Sequence, residues 1–231
     1  MRYLGGKYKI RKQVASFLET VRDGRDYLEP FVGGAWVLQE ISGIRTASDN
    51  NKALVTMYKA LQKGWIPPEY ISEDVYYKYR LSMNDNDPLT AFIGIGCSFA
   101  GKWFGGFIGN GEIGVKTHCS VKSSALSLIR QLPLIKNVAF CACSYSDYNP
   151  HGNLIYCDPP YEGTTEYKDK FDSLSFWNVM RKWSLDNTVV ISELKAPPDF
   201  RCVLSIDSRT SIRNASNISE LTTEKLFMYN C

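Results

Sequence analysis

The sequence has no run of about 18 apolar residues, which excludes a membrane-spanning helix. Its opening residues, Met1 to Lys7, lack the apolar core of a secretory signal, so the chain is expected in the cytosol. Histidine is scarce: His118 and His151 are the only two, and no Cys-x-x-Cys pair occurs among seven cysteines. Cys119, Cys141, Cys143 and His118 fit no standard zinc-ligand spacing, so no metal is expected. The thiols read as reduced, buried or half-buried packing residues. Neither sign of charge dominates. A formal net charge of +3 permits a local nucleic-acid-binding patch without demanding one. Internal repeats and low-complexity tracts are missing too, and 231 residues suit one compact domain carrying a sizeable insertion, or one large and one small lobe.

The most informative residues present are Asp158-Pro159-Pro160-Tyr161. They follow Asn153 to Cys157, whose apolar run predicts a buried strand. An acid, two prolines and an aromatic there form a rigid polar corner, at the place where open α/β sheets bind ligands. The prolines have no N–H to donate, so the corner is rich in acceptors and poor in donors. It suits an amino group on a flat ring. The Asp158 carboxylate and the Pro159 carbonyl would accept the N–H bonds of an exocyclic amine, localise its lone pair and stabilise positive charge as a methyl group arrives. Tyr161 would stack on the base. The same four residues would also make a plain Pro-rich turn in which Asp158 starts an Asx-turn.

Elsewhere the pattern alternates between strand and helix. Residues 8–22 carry Ile10, Val14, Phe17, Leu18 and Val21 at helical spacing. Lys7, Lys9, Arg11 and Lys12 crowd the start of that helix against its dipole, a placement more useful to an anionic ligand than to stability. Residues 26–31 predict a strand, Val32-Gly33-Gly34-Ala35 a tight turn, 36–42 a helix, and 45–48 a second strand ending at Asp49. Asn51, or Asn50, caps the next helix. Strand, glycine turn, helix, strand, acid is the opening of a parallel α/β domain for a nucleoside-bearing cofactor. Gly33 and Gly34 let the backbone approach it, and Asp49 accepts from ribose hydroxyls. This turn is neither a G-x-G-x-x-G fingerprint nor a phosphate loop, so a cofactor with a ribose and no required phosphate fits better. A plain tight turn is the alternative.

Residues 66–148 differ in composition. Aromatics such as Tyr76, Phe99, Trp103 and Phe107 interleave with Arg80, Lys102 and Lys116 in a glycine-rich stretch, and Asn110-Gly111 predicts a hairpin tip. Such a segment suits a DNA-contacting lobe, with Arg80, Lys102 and Lys116 as candidate contacts. A helical lobe with its own aromatic core is the alternative. A helix over 123–134 is expected to end at Pro133. Strands are then expected at 137–143, 153–157, 188–192, 203–206 and 226–229, a helix at 176–185, and a polar loop over 207–219.

In this order the segments resemble the DNA adenine-N6 methyltransferases of the Dam type, with Ser98 to Gly106 similar to a phage-type subgroup. Tyr3-Leu4-Gly5-Gly6-Lys7 is similar to the family's aromatic-x-Gly-Gly-Lys segment, and Glu29-Pro30-Phe31-Val32-Gly33 to its cofactor loop. Asp49-Asn50-Asn51 is similar to its acid after the second strand, and Asp158-Pro159-Pro160-Tyr161 to its catalytic loop; Val190 to Ser192 and Thr210 to Arg213 are weaker similarities. The resemblance implies a Rossmann-like sheet using S-adenosylmethionine, with an inserted helical and hairpin target-recognition lobe. The catalytic part is expected over residues 1–51 and 151–231 and the lobe over 52–150. By the same resemblance Tyr3, Lys7, Phe31, Gly33, Gly34, Asp49 and Asp158 contact the cofactor, while Asp158, Pro159 and Tyr161 perform and frame transfer to a flipped adenine in duplex DNA. GATC is the first target expected by analogy, the protein is expected to be a monomer, and the implied roles are restriction protection or DNA marking. The rival expectations are cytosine N4 methylation, methylation of RNA or a protein amide, and a catalytically silent DNA-binding relative. The last rests on Ala35, which stands where the family usually has a second glycine.

Overall fold

The computed structural model describes residues 1–109, 120–161, 171–213 and 219–230. Its centre is a seven-stranded sheet in the order β3-β2-β1-β4-β5-β7-β6. The strands are β1 (Asp26–Glu29), β2 (Arg45–Ser48), β3 (Ala139–Cys141), β4 (Asn153–Cys157), β5 (Thr188–Glu193), β6 (Phe200–Arg213) and β7 (Ser219–Tyr229). The first five run parallel and β7 runs antiparallel between β5 and β6. This is the Rossmann-like α/β sheet expected from the sequence.

Alternation along the central strands builds both faces. Tyr27, Leu154, Tyr156 and Val190 enter one core, and Leu28, Ile155, Cys157, Val189 and Ile191 enter the other. A strand buried on both faces reads as a continuous apolar run because its period-two alternation has no polar side. The first core is covered by α1 (Arg11–Val21) and α2 (Lys52–Gln62), the second by α6 (Ser173–Trp183) through Phe176, Trp177, Met180 and Trp183. The Asn51 side chain accepts from the Leu54 amide at 3.1 Å, so Asn51 rather than Asn50 caps α2.

Between β2 and β3 lie α2, α3 (Glu73–Ser82), α4 (Pro88–Ala91), a buried π-helical turn (Phe92–Gly96) and α5 (Ser120–Ile135). Residues 97–109 form a compact irregular loop. Phe104 donates its amide to the Gly94 carbonyl at 2.7 Å and Phe99 to that of Gly106 at 2.9 Å. Ala100 and Phe104 adopt φ of 55° and 44°, the left-handed region that non-glycine residues rarely occupy. The predicted tip at Asn110-Gly111 lies outside the described residues. β3, within the span expected to form the inserted lobe, is one of the two edge strands of the sheet.

Several elements differ from expectation. Residues 36–42 form a single 3₁₀ turn, Leu38–Glu40, rather than a helix. Seven residues between left-handed Ala35 and Gly43 (φ 73°) are too few to offset helix nucleation. The helix α5 runs through Pro133 to Ile135. Its last carbonyls find other donors: Leu134 accepts from Arg45 and Ile135 from Gln62, at 2.8 and 2.9 Å. Residues 207–213 and 219 belong to the long β6–β7 hairpin rather than a loop. There Thr223 donates to Asp207 at 2.7 Å, a polar cross-strand pair suited to a ribbon leaving the sheet. Cys97 and Cys157 are buried as expected, whereas Cys141 and Cys202 are exposed. No described helix is long and apolar enough to cross a membrane.

Candidate active site

Parallel strands deliver their carboxyl ends to one edge of the sheet, and the motifs of β1, β2 and β4 meet there. The segment before α1 lies across them. The Leu4 amide donates to the Gly101 carbonyl at 3.2 Å, and a Cβ on Gly101 would lie 2.7 Å from the Arg2 carbonyl. On its other side, a Cβ on Gly33 would lie 2.8 Å from the Tyr3 ring, and one on Gly34 2.7 Å from Trp36. The glycines of the turn after β1 therefore permit close packing as well as a positive φ, which is 44° at Gly33.

This segment carries Lys7 to the corner after β4. Lys7 is 7% exposed, and its ammonium donates to Asp158 Oδ1 at 2.7 Å and to the Gly5 carbonyl at 3.2 Å. Its Nζ lies 3.7 Å from Glu224 Oε2 and 4.7 Å from the centre of the Tyr161 ring. The Tyr161 hydroxyl donates to Glu224 Oε1, which also accepts from Ser192 Oγ. Pro159, between Asp158 and Tyr161 in the chain, is buried. Lys7 thus faces inward, and Arg11 pairs with Glu40 at 2.8 Å. The basic crowd at the start of α1, expected to serve an anionic ligand, spends these two members on carboxylates of the protein itself.

The corner is anionic. Burial pushes the Asp158 carboxyl up to about 6, and Glu224 adds to the rise while Lys7 opposes it. Behind it, Glu29 at the end of β1 is buried and accepts from the Tyr27 hydroxyl at 2.6 Å. Burial pushes Glu29 up to about 8, against the Tyr27 hydrogen bond. At the end of β5 burial pushes Glu193 up to about 7. Burial and the neighbouring carboxylates Asp158 and Glu224 hold the Tyr161 phenol protonated. Perturbed carboxyls gathered at the carboxyl edge of a parallel sheet are a functional-site signature.

The second cluster lies at the ends of β1 and β2. Asp49 accepts from the Gly33 amide at 3.0 Å and the Asn51 amide at 2.9 Å. Burial raises its carboxyl, and the two amides oppose the rise. Tyr58 of α2 donates its hydroxyl to the Gly33 carbonyl at 2.8 Å, and Gln131 of α5 donates to the carbonyls of Gly34 and Ala35 at 3.0 and 3.1 Å. The turn is therefore held from behind by two buried side chains. Ala35 has φ of 55°, so the left-handed turn forms with alanine, whose methyl is buried in the core. Phe31 packs half-buried against Tyr145 and Phe176, at centroid distances of 5.2 and 5.9 Å.

Of the basic candidates, Arg80 and Lys102 line one depression of about 350 Å³ together with Trp103, Phe104, Gly105 and Gly106. Lys116 lies outside the described residues. No group of three metal-ligating side chains occurs among the described residues. The structure adds Ser192, Glu224, Glu29, Tyr58 and Gln131 to the residues expected. For Glu224 a faint signal existed: period two places it on the strand face of Leu226, which is buried.

Comparison with solved structures gives low-identity matches over most of the chain. One is a protein from Pyrococcus horikoshii assigned as an RNA methyltransferase, at 9% identity and a TM-score of 0.41, covering 95% of this chain and 80% of that one. Another, from Thermoplasma acidophilum and assigned as a methyltransferase, matches at 10% identity and a TM-score of 0.36, covering 90% and 69%. A third, an assigned methyltransferase complexed with SAH, matches at 11% identity and a TM-score of 0.39, covering 97% and 53%. No curated protein matches the sequence. Residues 3–92, which hold the Lys7 segment, the glycine turn and Asp49, match the family model of the D12 class N6 adenine-specific DNA methyltransferases.

Proposed function

We propose that this chain is a DNA methyltransferase that moves a methyl group from S-adenosylmethionine to the N6 amine of an adenine turned out of duplex DNA. The observation that carries this reading is the corner after β4, where Asp158, tied to Lys7 at 2.7 Å, stands beside Tyr161 in a donor-poor loop. The match of residues 3–92 to the adenine-specific family supports the choice of base and of DNA.

The residues at the ends of β1 and β2 suit the cofactor. Asp49 uses one lone pair on each oxygen for the Gly33 and Asn51 amides, and a carboxylate has about four acceptor sites, so capacity remains for ribose hydroxyls. Gly33 and Gly34 offer backbone without side chains, Tyr3 packs on that backbone, and Phe31 offers the edge of an aromatic cluster. When bound, S-adenosylmethionine supplies an electrophilic methyl group on a sulfonium.

The chain's own work is on the base. Asp158 accepts from the amine, stabilises its developing positive charge and is mostly ionised above pH 6. The Pro159 carbonyl is the second acceptor. Lys7 covers one face of the Tyr161 ring, so a stacked base takes the opposite face. Unstacking the adenine costs a few kcal/mol, which that stacking and the base-edge hydrogen bonds offset. Arg80 and Lys102, which line one depression together with Trp103, hold the duplex by its phosphates.

The test is transfer of labelled methyl groups to unmethylated duplex DNA containing GATC, followed by digestion to nucleosides, with RNA and Asp158→Ala as controls. N6-methyladenine is expected, and Asp158→Ala should keep the fold and lose transfer. N4-methylcytosine would correct the base, and label entering only RNA would replace the substrate. Full activity of Asp158→Ala would refute the mechanism.

A further inference from the structure

The antiparallel strand β7 brings a residue back across the carboxyl edge of the parallel strands. That residue is Glu224, which faces Ile206 on β6 and stands one position beyond the β5–β7 pairing that ends at Glu193 and Lys225. Its carboxylate accepts from the Tyr161 hydroxyl and from Ser192, and lies 3.7 Å from Lys7. Lys7 in turn holds Asp158 at 2.7 Å. Asp158, Lys7, Glu224 and Tyr161 therefore close a ring, with the corner after β4 as one side.

We propose that Glu224 is a positioning residue for methyl transfer: it anchors Tyr161 and Lys7 together, and so sets the stacking plate and the amine-binding acid relative to each other. This rests on the proposed function. The corner's own backbone supplies little anchorage, since Pro159 and Pro160 have no N–H to donate. Side chains must then fix where Asp158 and Tyr161 point: Asp158 bonds to Lys7 and to Tyr161 directly, and Glu224 accepts from the tyrosine hydroxyl while lying 3.7 Å from that lysine. Its two hydroxyl donors converge on a single oxygen, leaving the other oxygen nearer Lys7. Misplacing a catalytic group by about 1 Å can cost on the order of a hundredfold in rate, so such an anchor bears on the chemical step more than on binding.

The experiment is a double-mutant cycle with Glu224→Ala and Tyr161→Phe, measured as kcat and KM for a methylatable duplex, with Glu224→Gln as the conservative variant. Glu224→Ala is expected to lower kcat at least tenfold with KM for the methyl donor within about threefold. Glu224→Gln, which still accepts from both hydroxyls, should recover part of that loss. With the hydroxyl already removed in Tyr161→Phe, adding Glu224→Ala should cost clearly less than it does in the parent. The pH–rate profile supplies a readout that a purely structural role would not move. Asp158 is faced by Lys7, Glu29, Glu193, Glu224 and Tyr161, and removing the Glu224 charge should shift the acidic limb to lower pH. An unchanged kcat in Glu224→Ala, or losses that multiply independently with Tyr161→Phe, would overturn the proposal. If the parent protein transfers no methyl group to DNA, the functional reading fails on its own. The same cycle read by thermal unfolding then decides the anchor: coupled midpoints uphold it and additive midpoints overturn it.

Discussion

Glu29 is a buried acid at the back of the site, and its titration gives a stability signature. Its carboxyl titrates near 4.5 in an unfolded chain and is pushed up to about 8 by burial in the folded one. A raised carboxyl means that the folded state holds the extra proton. Its stabilising contribution is complete below pH 4.5 and is lost as pH rises through about 8. At pH 7 the loss spans roughly 2.5 pH units at about 1.4 kcal/mol each, or about 3 kcal/mol relative to a side chain that never ionises. Glu29→Gln is such a side chain, and its amide oxygen still accepts from the Tyr27 hydroxyl. For a chain of this length about 3 kcal/mol corresponds to roughly 6–12 °C in the midpoint. Asp158 and Glu193, at about 6 and about 7, slope in the same direction; Asp158 has largely finished titrating by pH 7, and Glu193 is half-way through. The buried Met1 ammonium, pushed down to about 5, slopes the opposite way between pH 5 and 8, and all these groups are common to the parent and the variant, so the difference between the two isolates Glu29. Thermal melts of both proteins between pH 5 and 8.5 should show the parent's midpoint falling toward alkaline pH relative to that of the variant. The slope is the quantity to compare, because packing of the amide moves both ends together. Parallel slopes of parent and variant between pH 5 and 8 would refute the reasoning.

Two further outcomes follow from geometry already described. Ala35→Gly removes a left-handed alanine, worth about 1–2 kcal/mol, but adds chain entropy and deletes a buried methyl, so stability should stay within about 1 kcal/mol. Because that methyl points into the core, affinity for S-adenosylmethionine in calorimetry should change less than about threefold; a tenfold gain would mean that alanine does impair the turn. Arg80→Ala and Lys102→Ala should each weaken duplex binding about equally across sequences and reduce the slope of log affinity against log salt by about one, and an unchanged slope would remove that residue from the interface.

The sheet was legible because its central strands are short apolar runs between polar corners, a pattern that 153–157 and 188–192 display without ambiguity. The motif residues were legible individually, yet their partners were not. Lys7 read as one of a basic group suited to an anionic ligand, and only the fold brings it, 151 residues along the chain, to Asp158. Glu224 sits in a stretch of threonine and lysine whose local pattern predicts a polar ribbon, and nothing local to it indicates Tyr161 or Ser192. The 36–42 segment misled because its apolar spacing was helical while its length and its left-handed start were not. The polar 207–219 stretch misled for the opposite reason. Serine and threonine suit a two-stranded ribbon outside the core as well as they suit a loop.

The segment clasped between Gly101 and the Gly33-Gly34 turn has a mechanical consequence. Its Leu4 amide is fastened to the 97–109 loop, and three residues later its lysine is fastened to the acid of the corner. There is too little chain between these two attachments to absorb a displacement, and the Gly6 amide bonded back to the Tyr3 carbonyl at 3.0 Å shortens it further. The segment is a short strut with one end on the 97–109 loop and the other at Asp158, so any displacement of that loop is carried to Lys7 rather than absorbed along the way.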